Sequence, residues 1–138
     1  MDKLAHTRSI EINFWRFITM EQYKLFDAEY KFASLIWENE PINSTELVKL
    51  SHDKLGWKKS TTYTVLRKLC ERGILKNEDA TVSAIVKKEA AQKYESRAII
   101  EKSFDGSLPQ FLTAFLGERK ITEKEAEELK RIIEEATK

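Results

Sequence analysis

The stretch GWKKSTTYTVLRKLCERGIL, residues 56–75, decides the fold of this chain. Steps of three and four predict a helix from about Lys59 to Arg72, ended by Gly73, with one face toward a core: Thr62, Val65, Leu66, Leu69 and Cys70. The opposite face carries hydroxyl groups and cations: Ser60, Tyr63, Thr64 and Arg67, flanked by Lys59, Thr61, Lys68 and Arg72. Such a face is typical of a surface that meets a polyanion.

The start of this helix is unusual because Lys58 and Lys59 stand at the positive end of the helix dipole. Each lysine costs roughly 0.3–1 kcal/mol there at low salt, and no acid in the first turn offsets them. A nucleic-acid phosphate would reverse the sign, since the lysines, the dipole and the free N–H groups all attract an anion. The alternative is a solvated lysine pair that is tolerated because its cost is small.

The flanking segments predict a small domain around this helix. A first helix is expected from about Asp27 to Asn39, stopped by Pro41, and a second begins after Asn43, a good N-cap, with Glu46 placed for a capping box. After Gly73, the sequence ILKN-EDA-TVSAIV predicts two short strands around a tight acidic turn. Three helices followed by a hairpin predict a mainly α fold, a winged helix-turn-helix with a small two-stranded wing.

Residues 89–138 predict a helical dimerisation region. A helix from about Glu89 to Phe104 precedes two segments that open with the capping pairs Ser107–Gln110 and Thr122–Glu125. Their apolar stripes are too short to form a core alone, so we expect a second copy of the chain to bury them. The candidate interface residues are Ile99, Ile100, Phe104, Leu108, Phe111, Leu112, Phe115, Leu129, Ile132 and Ile133.

The remaining domain assignments are an extension over residues 1–20 and a DNA-binding domain over 21–88. The periodicity of the extension fits a strand or a helix equally well. Between residues 41 and 76, eight lysines and arginines face three acids, so a net charge of +1 for the chain hides a basic segment. The alternative is a soluble surface that happens to be rich in lysine.

Several functional classes are disfavoured by the sequence. The chain has two histidines and one cysteine without metal-ligand spacing, and it carries no phosphate loop or nucleophile motif, so we expect no metal, no cofactor and no enzymatic activity. No apolar run is long enough to span a bilayer, and no signal peptide is visible. Together with the single cysteine, these features favour the cytoplasm.

Double-stranded DNA is therefore the expected partner, besides a second copy of the chain. The N-terminal half of a recognition helix meets base edges in the major groove, which makes Ser60, Tyr63, Thr64 and Arg67 candidates for base contacts. The candidate phosphate contacts are Lys58, Lys59, Thr61, Lys68 and Arg72 on the third helix, with Asn43, Ser44 and Thr45 at the start of the second. The alternative is a winged-helix module that binds an acidic protein partner and has little affinity for DNA.

The segments LFDAEYKFASLIWENEP (25–41) and 56–75 resemble the penicillinase-repressor family of BlaI, MecI and CopY. The resemblance rests on Ala28, Glu29, Trp37, Trp57, Thr61, Tyr63, Thr64, Leu66, Leu69, Gly73 and Ile74. It implies a dimeric winged-helix repressor that binds a palindromic operator, in the bacterial cytoplasm and at the nucleoid when bound to DNA. The chain has Ala98–Ile99 where antibiotic-responsive members carry an Asn–Phe cleavage bond, and it lacks the C-terminal cysteine pairs of copper-responsive members, so the inducing signal, sensor or protease is left open.

Overall fold

The computed structural model describes residues 23–138, so the predicted extension over residues 1–20 lies outside the described part of the chain. The helices in this range are α1 (Asp27–Asn39), α2 (Ser44–Leu55), α3 (Lys59–Glu71), α4 (Lys88–Phe104), α5 (Leu108–Leu116) and α6 (Glu123–Ala136). The strands are β1 (Ile42–Asn43), β2 (Leu75–Glu78) and β3 (Thr81–Ala84). Three helices followed by a β-hairpin confirm the predicted winged helix-turn-helix.

The described chain falls into two compact units, which meet along the sequence between Ser96 and Arg97 within α4. We call residues 23–96 the winged-helix unit and residues 97–138 the helical unit. The predicted boundary between a DNA-binding domain (residues 21–88) and a dimerisation region (residues 89–138) stays a prediction.

The core of the winged-helix unit is formed by the apolar faces of α1, α2 and α3. Phe32 and Ile36, four residues apart on α1, are fully buried beside Leu47 of α2 and Leu69 of α3. Each side chain of this size stabilises the fold by about 1.5–3 kcal/mol when it leaves water. The Phe32 ring also stacks on Trp57 with ring centroids 5.2 Å apart, which ties α1 to the connection between α2 and α3.

The sheet has three antiparallel strands in the order β1-β3-β2, rather than the two strands predicted. The hairpin β2–β3 confirms the predicted wing, with Glu78 opposite Thr81 across a two-residue turn. Strand β1 adds the pair Ile42–Val82 on the other side of β3. Since β1 has two residues, it is too short to show the alternation by which a strand is recognised in a sequence.

Two polar contacts join the end of α1 to the segment after the wing. The Trp37 indole N–H donates a hydrogen bond to the Val86 carbonyl oxygen at 3.0 Å. The Glu40 carboxylate lies 2.6 Å from the Lys87 ammonium nitrogen. These contacts attach the segment that follows the wing to the end of α1.

The helical unit contains the end of α4 together with α5 and α6. The two capping residues predicted from the sequence are confirmed: the Ser107 hydroxyl accepts a hydrogen bond from the Gln110 N–H at 3.2 Å, and the Thr122 hydroxyl accepts one from the Glu125 N–H at 3.1 Å. These bonds satisfy backbone donors that the first turn of a helix leaves unpaired.

Candidate nucleic-acid interface

The connection between α2 and α3 is a three-residue turn that depends on glycine. Gly56 follows the last residue of α2 with φ of +70°, a conformation that costs little only for glycine, and its N–H donates to the His52 carbonyl oxygen at 3.0 Å. Lys58 then takes an extended conformation as the N-cap of α3. The two helices thus form a helix-turn-helix, in which α3 occupies the position of the recognition helix.

The outer face of α3 is exposed as the helical wheel predicted. Ser60, Thr61, Thr64 and Arg67 are all exposed, whereas the inner positions Thr62, Leu66 and Leu69 are buried. The buried Thr62 hydroxyl donates to the Lys58 carbonyl oxygen at 3.3 Å, so it is satisfied within the helix. The exposed polar side chains of this face are accessible to a ligand and do not pack in the core.

The N-terminus of α3 keeps the unfavourable electrostatics that its sequence implies. The Lys58 side chain makes no capping hydrogen bond, the first turn contains no acid, and both Lys58 and Lys59 are exposed. The dipole, the first N–H groups and two ammonium groups thus combine at one solvent-facing end of the helix. This arrangement attracts an anion such as a phosphate.

The predicted phosphate contacts at the start of α2 divide into two groups. Asn43 and Thr45 are exposed, and the Asn43 side chain accepts a hydrogen bond from the Thr45 N–H at 2.9 Å. Ser44, by contrast, is 6% exposed, and its N–H donates to the Ala80 carbonyl oxygen in the wing at 2.8 Å. The pairing of β1 with the hairpin draws Ser44 inward, so the prediction that its side chain is open to a phosphate is wrong: the structure buries it.

Tyr63 differs from the other residues of the outer face because it also touches the body of the domain. Its side chain lies at the margin of exposure, with 37% of its surface accessible. The phenol hydroxyl donates to the buried Ser44 hydroxyl at 3.5 Å, the long end of the hydrogen-bonding range. Tyr63 therefore has one edge toward solvent and its polar tip toward α2.

Arg72, predicted as a phosphate contact, is instead turned toward the body of the domain. Its side chain is 23% exposed, and its guanidinium lies 3.3 Å from a carboxylate oxygen of Glu29 on α1. Lys68 stays mostly exposed, although its ammonium lies 3.8 Å from the same carboxylate. Arg72 is mostly buried in this ion pair whereas Lys68 is mostly exposed, so Lys68 is the more accessible of the two candidates for a phosphate contact.

Sequence reasoning used Glu29 only as a mark of family resemblance and missed its contacts. A signal was present, because Glu29 shares a helical face with the buried Phe32, Ala33 and Ile36 at steps of three and four. An acid on the apolar face of a helix is rarely buried without a cationic partner. The pattern could have predicted a buried ion pair, though it could not have identified the partner.

The wing contributes an acidic tip beside the basic helix. Asp79 and Glu78 are exposed, and the Glu78 carboxylate lies 3.9 Å from the Lys76 ammonium. Between the wing and α3 lies an open concavity of about 380 Å³, lined by Tyr63, Leu66, Arg67, Cys70 and Asn77. The wing tip has the charge that the sequence predicted, one that repels phosphates.

Cys70 lies in that concavity but has no sign of reactivity. Burial, followed by the nearby Glu71 carboxylate, raises the pKa of its thiol above the usual range, so the thiol stays protonated at neutral pH. Among residues 23–138, no group of three or more His, Cys, Asp and Glu side chains is arranged to hold a metal ion. No helix in the same range is long and apolar enough to cross a membrane.

The helical unit presents the residues predicted for dimerisation. None of residues 97–138 is buried, and five of the ten candidates are more than half exposed: Ile99, Leu108, Phe115, Ile132 and Ile133. Ile100, Phe104, Phe111, Leu112 and Leu129 are half-buried. Phe111 links two aromatic pairs, with its centroid 5.4 Å from Phe104 and 5.7 Å from Phe115. The unit thus has an ordered apolar surface without a core of its own.

Comparison with known proteins gives one family and one curated relative. Residues 25–135 match the family model described as Penicillinase repressor. The penicillinase repressor of Bacillus licheniformis is 25% identical over 116 residues, which cover 81% of this chain and 91% of that protein. A solved structure, a MarR protein from Peptoclostridium difficile DA00132, covers 98% of this chain and 83% of its own at 21% identity, with a TM-score of 0.40.

Proposed function

The chain belongs to the penicillinase repressor family, whose members are DNA-binding transcriptional regulators and not enzymes, and we propose that it acts as a homodimer on a palindromic operator. The observation that carries this proposal is the exposed outer face of α3, which joins hydroxyl donors and cations to an uncompensated positive helix end. Family membership argues against the alternative of a protein-interaction module with little affinity for DNA.

In this proposal, α3 enters the major groove, and different residues on and around its outer face contact bases and phosphates. Arg67 can donate two hydrogen bonds to the O6 and N7 atoms of a guanine, and the Thr64 methyl group can contact a thymine. Ser60 and Tyr63 complete the candidate base contacts. Exposed cations and polar groups around this face bind phosphates and set the register: Asn43, Thr45, Lys58, Lys59, Thr61 and Lys68.

The dimer is proposed from the exposed apolar surface of the helical unit. Each apolar side chain on that surface contributes about 1.5–3 kcal/mol when a partner buries it fully. Several such side chains on each copy are sufficient for a stable dimer. A two-fold dimer places its recognition helices in successive major grooves roughly 34–36 Å apart, which is why an inverted repeat is expected.

Selection of bound duplexes from a random pool by the full-length protein tests this proposal. We expect enrichment of an inverted repeat with half-sites about one DNA turn apart and an operator affinity on the order of 10⁻⁸–10⁻¹¹ M at physiological salt. The logarithm of affinity should fall linearly with the logarithm of salt concentration. Enrichment of a sequence without two-fold symmetry would contradict the dimeric mode.

Two substitutions separate the roles proposed on α3. Arg67→Ala should relax the preference at one base pair, at a cost of about 1–3 kcal/mol for the preferred sequence. Lys59→Ala should weaken binding to selected and shuffled duplexes alike and reduce the salt slope by about one. Repeating the selection with each variant measures both effects, and equal losses on all sequences from both variants would refute the division of roles.

A further inference from the structure

A single buried carboxylate holds the C-terminal end of α3 against α1. Glu29 has 8% of its side chain exposed. Its Oε1 accepts a hydrogen bond from the Phe26 N–H at 2.9 Å, and its two oxygens lie 3.4 and 3.3 Å from one nitrogen of the Arg72 guanidinium. Lys68, one helical turn before Arg72, brings its ammonium to 3.8 Å. Arg72 also donates to the Lys24 carbonyl oxygen, so the guanidinium is fixed from two sides.

A second attachment holds the other flank of α3 nearer its N-terminus. Tyr63 donates through its hydroxyl to Ser44, and Ser44 is itself fixed by its N–H bond to the Ala80 carbonyl oxygen. At 100° per residue, Tyr63 lies on one side of the outer face and the pair Lys68–Arg72 lies on the opposite side. Nine residues separate Tyr63 from Arg72, which is a rise of about 13 Å along the helix.

Two attachments on opposite flanks and at different heights fix the rotation of α3 about its own axis. Three of the four candidate base contacts, Ser60, Thr64 and Arg67, lie between them. Side-chain tips lie about 5–6 Å from a helix axis, so a rotation of about 20° moves them by about 2 Å. That displacement is enough to break hydrogen bonds to base edges, which hold over a range of about 0.5 Å.

We propose that Glu29 is a positioning residue for operator recognition. It touches no DNA, and it sets the rotation of α3 through Arg72 so that the face with Ser60, Thr64 and Arg67 meets the groove. Arg72 is then an internal attachment, and phosphates are bound by the exposed cations. The inference rests on the proposed function, since it assumes that α3 reads bases.

The test compares Glu29→Gln with Glu38→Gln, which makes the same change at an exposed position of α1. Both full-length variants are measured at 25 °C against the duplex that the wild type selects and a shuffled duplex, with the folded fraction followed by circular dichroism. We expect Glu29→Gln to weaken binding to the selected duplex about tenfold or more, the effect of a lost base contact. Affinity for the shuffled duplex and the salt slope should stay near the wild-type values, and Glu38→Gln should change neither.

Arg72→Lys is a second test of the proposal, because it keeps the positive charge beside Glu29 and loses the planar guanidinium that contacts both Glu29 and the Lys24 carbonyl oxygen. We expect Arg72→Lys also to lose affinity for the selected duplex, with an unchanged affinity for the shuffled duplex and an unchanged salt slope. The proposal is overturned if Arg72→Lys binds like the wild type, or if Glu29→Gln weakens both duplexes equally in proportion to the unfolded fraction. A wild type that selects no sequence at all would overturn the proposed function instead.

Discussion

The two units of this protein use the same residue types to different ends. In the winged-helix unit Phe32 is 0% exposed and stacks on Trp57, whereas in the helical unit Phe115 is 59% exposed and stacks on Phe111, which is itself half-buried. The first unit closes a core from its own helices and sheet. The second has well-capped helices with an apolar surface and none of its residues buried. The difference indicates that residues 97–138 complete their burial against another surface, and a second copy is the partner that we propose.

The largest loss of stability is expected from a substitution at the centre of the core of the winged-helix unit. Phe32→Ala should destabilise the winged-helix unit by about 3–5 kcal/mol, because the substitution loses the burial of the ring and leaves a cavity beside Trp57. Urea denaturation followed by circular dichroism measures the change. A loss below about 1 kcal/mol would mean that the first unit is no better packed than the second.

Phe26→Ala is the matched control for that experiment. Phe26 precedes α1 and is 61% exposed, so it has little burial to lose. We expect a change within about 0.5 kcal/mol, as for most surface substitutions. A large loss at Phe26 would show that exposure in this structure does not report on the energetic contribution of a phenylalanine.

A substitution on the apolar surface of the helical unit should weaken dimer formation and leave the folding of the winged-helix unit unchanged. Phe115→Ser removes a side chain worth about 1.5–3 kcal/mol when a partner buries it, so the dissociation constant of the dimer should rise by at least about tenfold. The urea midpoint of the winged-helix unit should stay unchanged. Analytical ultracentrifugation over a range of protein concentrations measures the first quantity.

Glu127→Ser is the control in the helical unit, because Glu127 is exposed on the side of α6 away from its apolar stripe. It should leave the dissociation constant unchanged. If Phe115→Ser and Glu127→Ser have equal effects, or if the wild type is a monomer at every concentration, then the exposed stripe is not a dimer interface and the comparison between the units loses its explanation.

The elements of both units could be predicted from local patterns in the sequence. The bounds of α1 follow from apolar spacing and Pro41, and the starts of α5 and α6 follow from Ser107 and Thr122, whose side chains bond three residues ahead. The exposed face of α3 was predicted from its periodicity alone. In each case the interactions that define the element join residues four positions apart or fewer, so a local pattern in the sequence is enough to predict it.

The positions that the sequence could not predict depend on contacts between distant segments. Ser44 is drawn inward by a bond to Ala80, and Arg72 is turned from the surface by Glu29, 43 positions earlier in the chain. A candidate list based on residue type and helical face treats both as open donors. Pairings at this separation leave no periodic signal, which is why two of the twelve candidate DNA contacts point elsewhere in the structure.

The smallest expected effect concerns a place where the winged-helix unit is itself strained. The wing turn holds Asp79 at φ of +50° and Ala80 at φ of +64°, and positive φ at both central residues is the pattern of a hairpin turn that prefers glycine at its second position. Alanine pays a steric cost of roughly 1–2 kcal/mol there, which exceeds the entropic advantage that alanine has over glycine in the unfolded chain. Ala80→Gly should therefore stabilise the unit by up to about 1 kcal/mol, seen as a higher urea midpoint. The carbonyl of residue 80 would still accept the Ser44 N–H, so binding to the selected duplex should be unchanged. A lower urea midpoint would show that the wing does not hold residues 79 and 80 at positive φ in solution.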